Sequence, residues 1–464
     1  MTMADDLSWA TASDIAKAVK GGQASAASVI DAALARIAAR NPALNAFTAV
    51  TAERARAKAR AIDAASDKSR LPLAGVPFAV KNLFDIEGLP TVAGSKINRS
   101  HKPASKDSPL IARLEAAGAV LVGALNMGEY AYDFTGENIH DGPSRNPHDV
   151  TRMTGGSSGG SGAAVAGGMV PLALGSDTNG SIRVPSSLCG IFGLKPTYGR
   201  LTRAGSFPFV GSLDHLGPFA RSVRDLSLSY DALQGFDPAD AACVERPAEP
   251  TAALIERGID GLRIKVAGGY FRQGASPDAL GAIALVAKAL NVRDDIEILH
   301  AARARAAAYV ITATEGAALH LERLRRQARD FDPAVRDRLI AGAMVPSTLV
   351  VKAQIFRRWY RECVLDLFKD CDAILAPATP VTAPKLGQQN FVLDGVEMPV
   401  RANMGLYTQP ISFIGLPVAA VPVALEPLPI GVQIITAPWR EDIALRIASA
   451  LEKMGAVKAP RPEL

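Results

Sequence analysis

Two serines and one lysine of this chain stand in settings that suit nucleophilic chemistry. Residues 155–168 read Gly-Gly-Ser-Ser-Gly-Gly-Ser-Gly-Ala-Ala-Val-Ala-Gly-Gly. Composition alone would make this a flexible tether. It runs directly into Met169-Val-Pro-Leu-Ala-Leu-Gly, which reads as a buried strand, so a tether would have to lie inside the core. A glycine-dense turn that lets backbone approach backbone, or a reacting group, is the better reading. Residues 175–185, Gly-Ser-Asp-Thr-Asn-Gly-Ser-Ile-Arg-Val-Pro, set Ser181 after an Asn-Gly turn. Successive N–H groups there can point one way, forming an anion nest and a ready oxyanion hole, although an ordinary β-turn fits this segment equally well. In residues 75–85, Gly-Val-Pro-Phe-Ala-Val-Lys-Asn-Leu-Phe-Asp, Lys81 closes an apolar strand. Desolvation lowers the pKa of a lysine, and a neutral lysine can act as a base.

The glycine-rich run also matches G-x-S-x-G around Ser157 or Ser158, the pattern of an α/β-hydrolase nucleophile. That mechanism needs a downstream histidine, and His215, His300 and His320 sit in no recognisable setting. This reading ranks a distant second.

The elements that must position these residues alternate between helix and strand. Over residues 25–40, Val29, Ile30, Ala33, Leu34 and Ile37 recur at helical spacing, and Asn41-Pro42 is expected to end that helix. Ser108-Pro109 supplies an N-cap and a first-turn proline, Leu110, Ile111 and Leu114 form a stripe, and Gly118 closes the helix. A short strand is expected from Ala119. Strand then helix return near the end, at residues 430–435 and 441–452. Such alternation predicts an α/β architecture with helices on a central sheet.

The chain has 464 residues, 48% of them hydrophobic, enough for a large core and, by size alone, for two or three domains. The best linker candidate is residues 237–250. The polar helical stretch at 301–368 shows no clear core of its own, which favours a single domain, 1–464, with a variable helical insertion at 240–370. The 51 Lys+Arg against 46 Asp+Glu give +5, without a basic run interleaved with aromatics. A nucleic-acid groove is therefore disfavoured, and a small anionic substrate explains the bias as well. Cys189, Cys243, Cys363 and Cys371 show no C-x-x-C spacing, which fits a reducing compartment. The opening Met-Thr-Met-Ala-Asp-Asp is acidic where a signal peptide would be basic. The charge-free run at 402–425 contains Pro410, Pro417 and Pro422 and is a poor membrane span. A cytoplasmic protein with no membrane segment is expected.

Taken together, the Gly75-Val-Pro…Val-Lys81-Asn block, the Gly155-Gly-Ser-Ser-Gly-Gly-Ser block and the Gly175-Ser-Asp-Thr-x-Gly-Ser-Ile-Arg block with Cys189-Gly…Gly-Leu-Lys-Pro-Thr resemble the amidase signature family. The interval from Ser157 to Ser181 is the family's. Similarity is dense over residues 71–225, the catalytic signature core, and loose over 240–370. The resemblance implies an α/β fold with a mixed central β-sheet covered by helices on both sides. It also implies a Ser-cisSer-Lys triad that uses neither metal nor cofactor. Carried over, Lys81 is the base, Ser157, after a cis bond from Gly156, is the relay, and Ser181 is the nucleophile. The N–H groups of Thr178, Asn179, Gly180 and Ser181 would hold the oxyanion. Asn179 departs from the family, which usually has glycine there; asparagine tolerates positive φ and could reach substrate with its amide. Asp177 and Arg183 read as charges that brace the nucleophile loop.

Narrower stretches, residues 132–149, 203–209 and 342–346, look like the branch of the family that hydrolyses 1-carboxybiuret. That substrate is a short carboxylated ureide, and Tyr132, Thr135, Ser206 and Phe207, with Asn179, could supply pocket walls and hydrogen bonds. Arg323 and Arg326 are guesses for the cation that such a carboxylate requires. The alternative is the A subunit of a tRNA-dependent glutamine amidotransferase. The implied partners are a small-molecule amide substrate, further copies in an oligomer and a small accessory subunit, with nucleic acid only if that alternative holds.

Overall fold

The apolar runs fold as strands whose residues are buried on both faces, which happens only where helices cover both sides of a sheet. The computed structural model describes residues 7–463; the acidic opening, residues 1–6, lies outside them. The strands are β1 (Phe47–Val50), β2 (Pro77–Lys81), β3 (Val120–Leu125), β4 (Arg145–Asn146), β5 (Asp149–Met153), β6 (Leu172–Asp177), β7 (Phe192–Lys195), β8 (His215–Ala220), β9 (Ile264–Ala267), β10 (Asp295–Ile296), β11 (Ala373–Pro377), β12 (Asn390–Leu393), β13 (Val396–Pro399), β14 (Val418–Val423) and β15 (Ile430–Thr436). Eleven of them form one sheet in the order β1-β3-β2-β6-β8-β7-β14-β15-β11-β9-β10, and β4-β5 and β12-β13 pair separately. The main sheet is mixed: β2 runs parallel to both β3 and β6, whereas β8, β7, β14 and β15 pair antiparallel. Every residue of β2, β3, β6, β8, β14 and β15 is buried. This is the α/β architecture with a mixed central sheet that the sequence predicts.

The register of β2 on β6 decides the site. Val80 pairs with Leu174, so the C-terminal ends of two parallel strands deliver Lys81 and Ser176 side by side.

The glycine-rich run, read as a turn, also contains a helix, Gly159–Ala166, buried throughout. A Cβ on Gly160 would lie 2.5 Å from the Asn126 amide nitrogen, and one on Gly175 would lie 2.8 Å from Ser158 Oγ. These glycines let a helix lie against the strand ends, the close approach inferred from their density.

Two boundaries differ from expectation. The helix Ala26–Leu44 runs through Pro42 and closes at Asn45, whose φ is 48°. The proline falls in the last turn, where it removes a single bond, and Asn41 Oδ1 accepts the N–H groups of Ala46 and Phe47 to fix the exit. The helix after Ser108 forms as expected over Pro109–Ala116, but the Ser108 hydroxyl donates to the Ala204 carbonyl instead of capping it.

Within residues 240–370, β9 and β10 join the main sheet. The helices Ala301–Gln327, Pro333–Ala343 and Ser347–Leu367 pack on one another. Gly316 lies against both Leu339 and Phe209, where a Cβ would come within 3.1 Å and 3.0 Å of them. Among the described residues no single helix is long and apolar enough to cross a membrane; the pair at 333–343 and 347–367, bent by 95°, reaches that length and composition only when taken together.

Candidate active site

Lys81 is wholly buried at the end of β2. Its Nζ donates to Ser157 Oγ at 2.7 Å and to Ser176 Oγ at 2.8 Å. Burial, opposed by the carboxylates of Asp214, Asp177 and Asp133, brings its pKa down to about 7. An amine in this state is neutral often enough at physiological pH to take a proton from a hydroxyl. The Gly156-Ser157 peptide bond is cis.

Ser181 lies in the loop between β6 and the helix Arg183–Cys189. It lines a small cavity together with Tyr132, Asn179, Tyr309, Thr312 and Arg338. Among the described residues no hydrogen bond joins Ser157 to Ser181, so the lysine-to-serine link is formed and the serine-to-serine link is open. Such links commonly tighten only around bound substrate. The backbone N–H groups of Thr178, Asn179, Gly180 and Ser181 donate to no acceptor among the described residues. Four unspent donors beside a serine hydroxyl are what a developing oxyanion would need.

The loop owes its shape to buried partners. Asp177 and Arg183 form a fully buried pair with Nε–Oδ2 and Nη2–Oδ1 both at 3.0 Å. Burial pushes the Asp177 carboxyl up, and Arg183 outweighs that and holds it well below the usual carboxylate range. Arg183 also donates to the Thr408 carbonyl, to Gln433 Oε1 and to Ser412 Oγ. With every donor engaged at this junction, the pair braces the loop. Thr178 Oγ1 donates to half-buried Asp214 at 2.6 Å, and Thr408 Oγ1 donates to the Asn179 carbonyl at 2.7 Å. Gly180, with φ at 146°, takes the unusual backbone conformation. Asn179 is not a positive-φ position, so its tolerance of that region is not what lets the loop survive. Thr408 also excludes a side chain at Gly180, since a Cβ there would lie 2.2 Å from its Oγ1.

Of the wall residues expected from sequence, Tyr132 lines the Ser181 cavity. Thr135 spends its hydroxyl on Asp133 at 2.8 Å and does not line it. Ser206 and Phe207 line a neighbouring pocket that shares Ala131, Thr178 and Phe209 with the first. That pocket is roomier but does not include Ser181, the nucleophile expected from the sequence. Arg323 lies over the Phe207 ring at 5.4 Å, and Arg326 faces Glu322 at 3.8 Å; neither lines the cavity.

The cation that does line it, Arg338, escaped the sequence reading. Its Nε donates to the Ala334 carbonyl at 2.7 Å, its Nη2 to the Tyr132 carbonyl, and its guanidinium lies 3.9 Å from the Tyr132 ring centroid. It makes no salt bridge among the described residues, and burial lowers its pKa. Val335, Leu339 and Gly342 are its buried helix neighbours, so the available signal was an arginine on an apolar stripe.

No histidine touches either serine. His215 Nδ1 faces the Leu213 carbonyl at 2.6 Å and its Nε2 faces Lys195 at 3.3 Å, while His320 packs against Tyr130 with the rings tilted by 42°. Among the described residues no group of three or more His, Cys, Asp or Glu side chains is placed to hold a metal ion.

The amidase family model matches residues 28–445. The chain belongs to the amidase signature family. It is an amidohydrolase of that family, and the α/β-hydrolase alternative falls. AtzE, the 1-carboxybiuret hydrolase subunit of Pseudomonas sp. (strain ADP), is 52% identical over 450 residues, covering 96% of this chain and 98% of that one. The A subunit of the glutamyl-tRNA(Gln) amidotransferase of Roseiflexus castenholzii is 38% identical over 474 residues, covering 96% and 95%. Among solved structures, a vestigial protein complex described as revealing the evolutionary origins of an s-triazine catabolic enzyme superposes with a TM-score of 0.96 at 52% identity, covering 97% of this chain and 100% of that one. A 6-aminohexanoate cyclic dimer hydrolase complexed with substrate superposes at 0.88 with 29% identity, covering 98% and 99%.

Proposed function

We propose that this amidase hydrolyses the terminal C–N amide bond of a small carboxylated ureide, with 1-carboxybiuret the best candidate, and releases ammonia. The observation that carries the reading is Arg338, a half-buried guanidinium that lines the Ser181 cavity and makes no salt bridge among the described residues. A guanidinium set into a small cavity without a carboxylate partner suits an anionic ligand. The 1-carboxybiuret hydrolase relative supports the same substrate class.

In this mechanism neutral Lys81 accepts the Ser157 proton as Ser157 accepts that of Ser181, and Ser181 Oγ bonds to the amide carbon. The four N–H groups of residues 178–181 hold the oxyanion. The tetrahedral adduct collapses with breakage of the C–N bond, the proton returns through Ser157 to the leaving nitrogen, and ammonia departs. Water then attacks the acyl-enzyme over the same relay, restoring Ser181 and leaving a second carboxylate. The chemistry needs no metal or cofactor.

The reading extends to assembly and location: the chain works in the cytoplasm with a small accessory subunit. The relative solved as a complex supports the partner, and four free cysteines suit a reducing compartment.

The test is kcat/KM for 1-carboxybiuret, biuret and glutamine, with and without Arg338→Gln. A preference for 1-carboxybiuret that falls about 100-fold in Arg338→Gln, mostly through KM, is expected, the size of a lost hydrogen bond to a charged group. A preference for glutamine would transfer the case to the amidotransferase reading.

A further inference from the structure

Asn179 stands where the family usually has glycine, and its side chain lines the same small cavity as Ser181. Its Nδ2 donates to Thr312 Oγ1 at 2.9 Å, and its backbone carbonyl accepts from Thr408 Oγ1. Both ends of the residue are therefore fixed. The remaining atom, Oδ1, is buried and has no hydrogen-bond partner. Seven other buried side-chain atoms share that condition among the described residues, and none of their residues lines the cavity. A buried acceptor left without a donor is costly, and native structures leave few without a reason.

We infer that Asn179 Oδ1 accepts the N–H that flanks the scissile carbonyl of a ureide, making Asn179 a specificity-determining residue. This rests on the ureide reading and deepens it. In a ureide, R–NH–C(=O)–NH2, the reacting carbon carries an N–H on its acyl side. In an ordinary carboxamide, R–CH2–C(=O)–NH2, the same place is a methylene. The first fills the acceptor; the second buries it unpaired. A site built to receive a donor rejects an analogue that lacks it far more strongly than an apolar wall can discriminate. Thr312, on the helix Ala301–Gln327, holds the amide in orientation and acts as a positioning residue. Restoring the family's glycine removes the acceptor and keeps the backbone N–H that faces the oxyanion.

The experiment measures kcat/KM of wild type, Asn179→Gly and Thr312→Val on 1-carboxybiuret and on a carboxamide of matched length and charge with methylene in place of that N–H. Asn179→Gly is expected to lower the ratio of kcat/KM on the ureide to that on the carboxamide 10- to 100-fold. Thr312→Val should lose a smaller factor on the ureide alone, which keeps the question decidable if Asn179→Gly fails to fold. A wild type that favours the ureide, combined with equal losses on both substrates or no loss on either, overturns the role of Asn179 and leaves the function standing. A wild type that favours the carboxamide overturns both.

Discussion

Lys81 donates to two hydroxyls, Ser157 at 2.7 Å and Ser176 at 2.8 Å, so the proposed base is held from two sides and only one of them leads towards the proposed nucleophile. Ser176 accepts from the amine and stabilises its charged form. Ser176→Ala should lower kcat about 10-fold and move the acid limb of the pH profile to lower pH, because the ammonium loses an acceptor. A profile unchanged in height and midpoint would show Ser176 to be a bystander.

Activity should rise with pH through the neutral range. Lys81 has a pKa of about 7, and only the neutral amine can accept a proton, so kcat/KM should increase about 10-fold per pH unit below that value and level off about one unit above it. The buried amine of Lys195 has a similar pKa, lowered by burial and by Arg183, but its contacts are Leu416 and Pro196 carbonyls and His215. Rate profiles of acyl-enzyme formation isolate the chemical step, and a flat profile there would remove Lys81 from the base position.

Lys81→Ala, Ser157→Ala and Ser181→Ala should each reduce kcat by about 10⁴-fold or more, and the triple variant should be little worse than the worst single one, since residues on one proton path are not additive. Unchanged circular dichroism would confirm that folding survives. Substantial turnover in Ser181→Ala would make Ser157 the better nucleophile.

Arg183→Met should fail differently. It strands the buried Asp177 carboxylate, and breaking a buried pair by removing one partner costs about 3–5 kcal/mol. Urea titration should show a fall in midpoint together with lost activity. A loss of activity at full stability would mean that Arg183 acts on substrate.

The segments proposed to carry the chemistry were readable from residue types because each of them is local. Lys81, the glycine-rich run and residues 175–183 each lie within one short segment, and strand ends place them. The pocket walls are assembled from afar. Arg338, Tyr309 and Thr312 come from the helices of residues 301–343, and Gln409 from beyond residue 400. In sequence each looks like an ordinary helix or loop residue, and contacts between distant segments, Thr312 with Asn179 and Arg338 with Tyr132 among them, bring that layer to Ser181. Ser206 and Phe207 were close in sequence to the catalytic blocks, yet they face the adjoining pocket. The Pro42 boundary failed for a smaller reason: a proline in a final turn has little helix left to break.

The ties from Arg183 to Thr408, Ser412 and Gln433, and from Thr408 back to Asn179, also set an order in time during synthesis. A chain emerges from the ribosome from its N-terminus at about 5–20 residues per second. Lys81, Ser157 and Ser181 are all outside long before residues 408–433 arrive. Through that interval the nascent polypeptide carries its reactive groups without the struts that shape the nucleophile loop. A product truncated before residue 408 would therefore lack the contacts that Arg183 makes to Thr408, Ser412 and Gln433 and the one that Thr408 makes to Asn179.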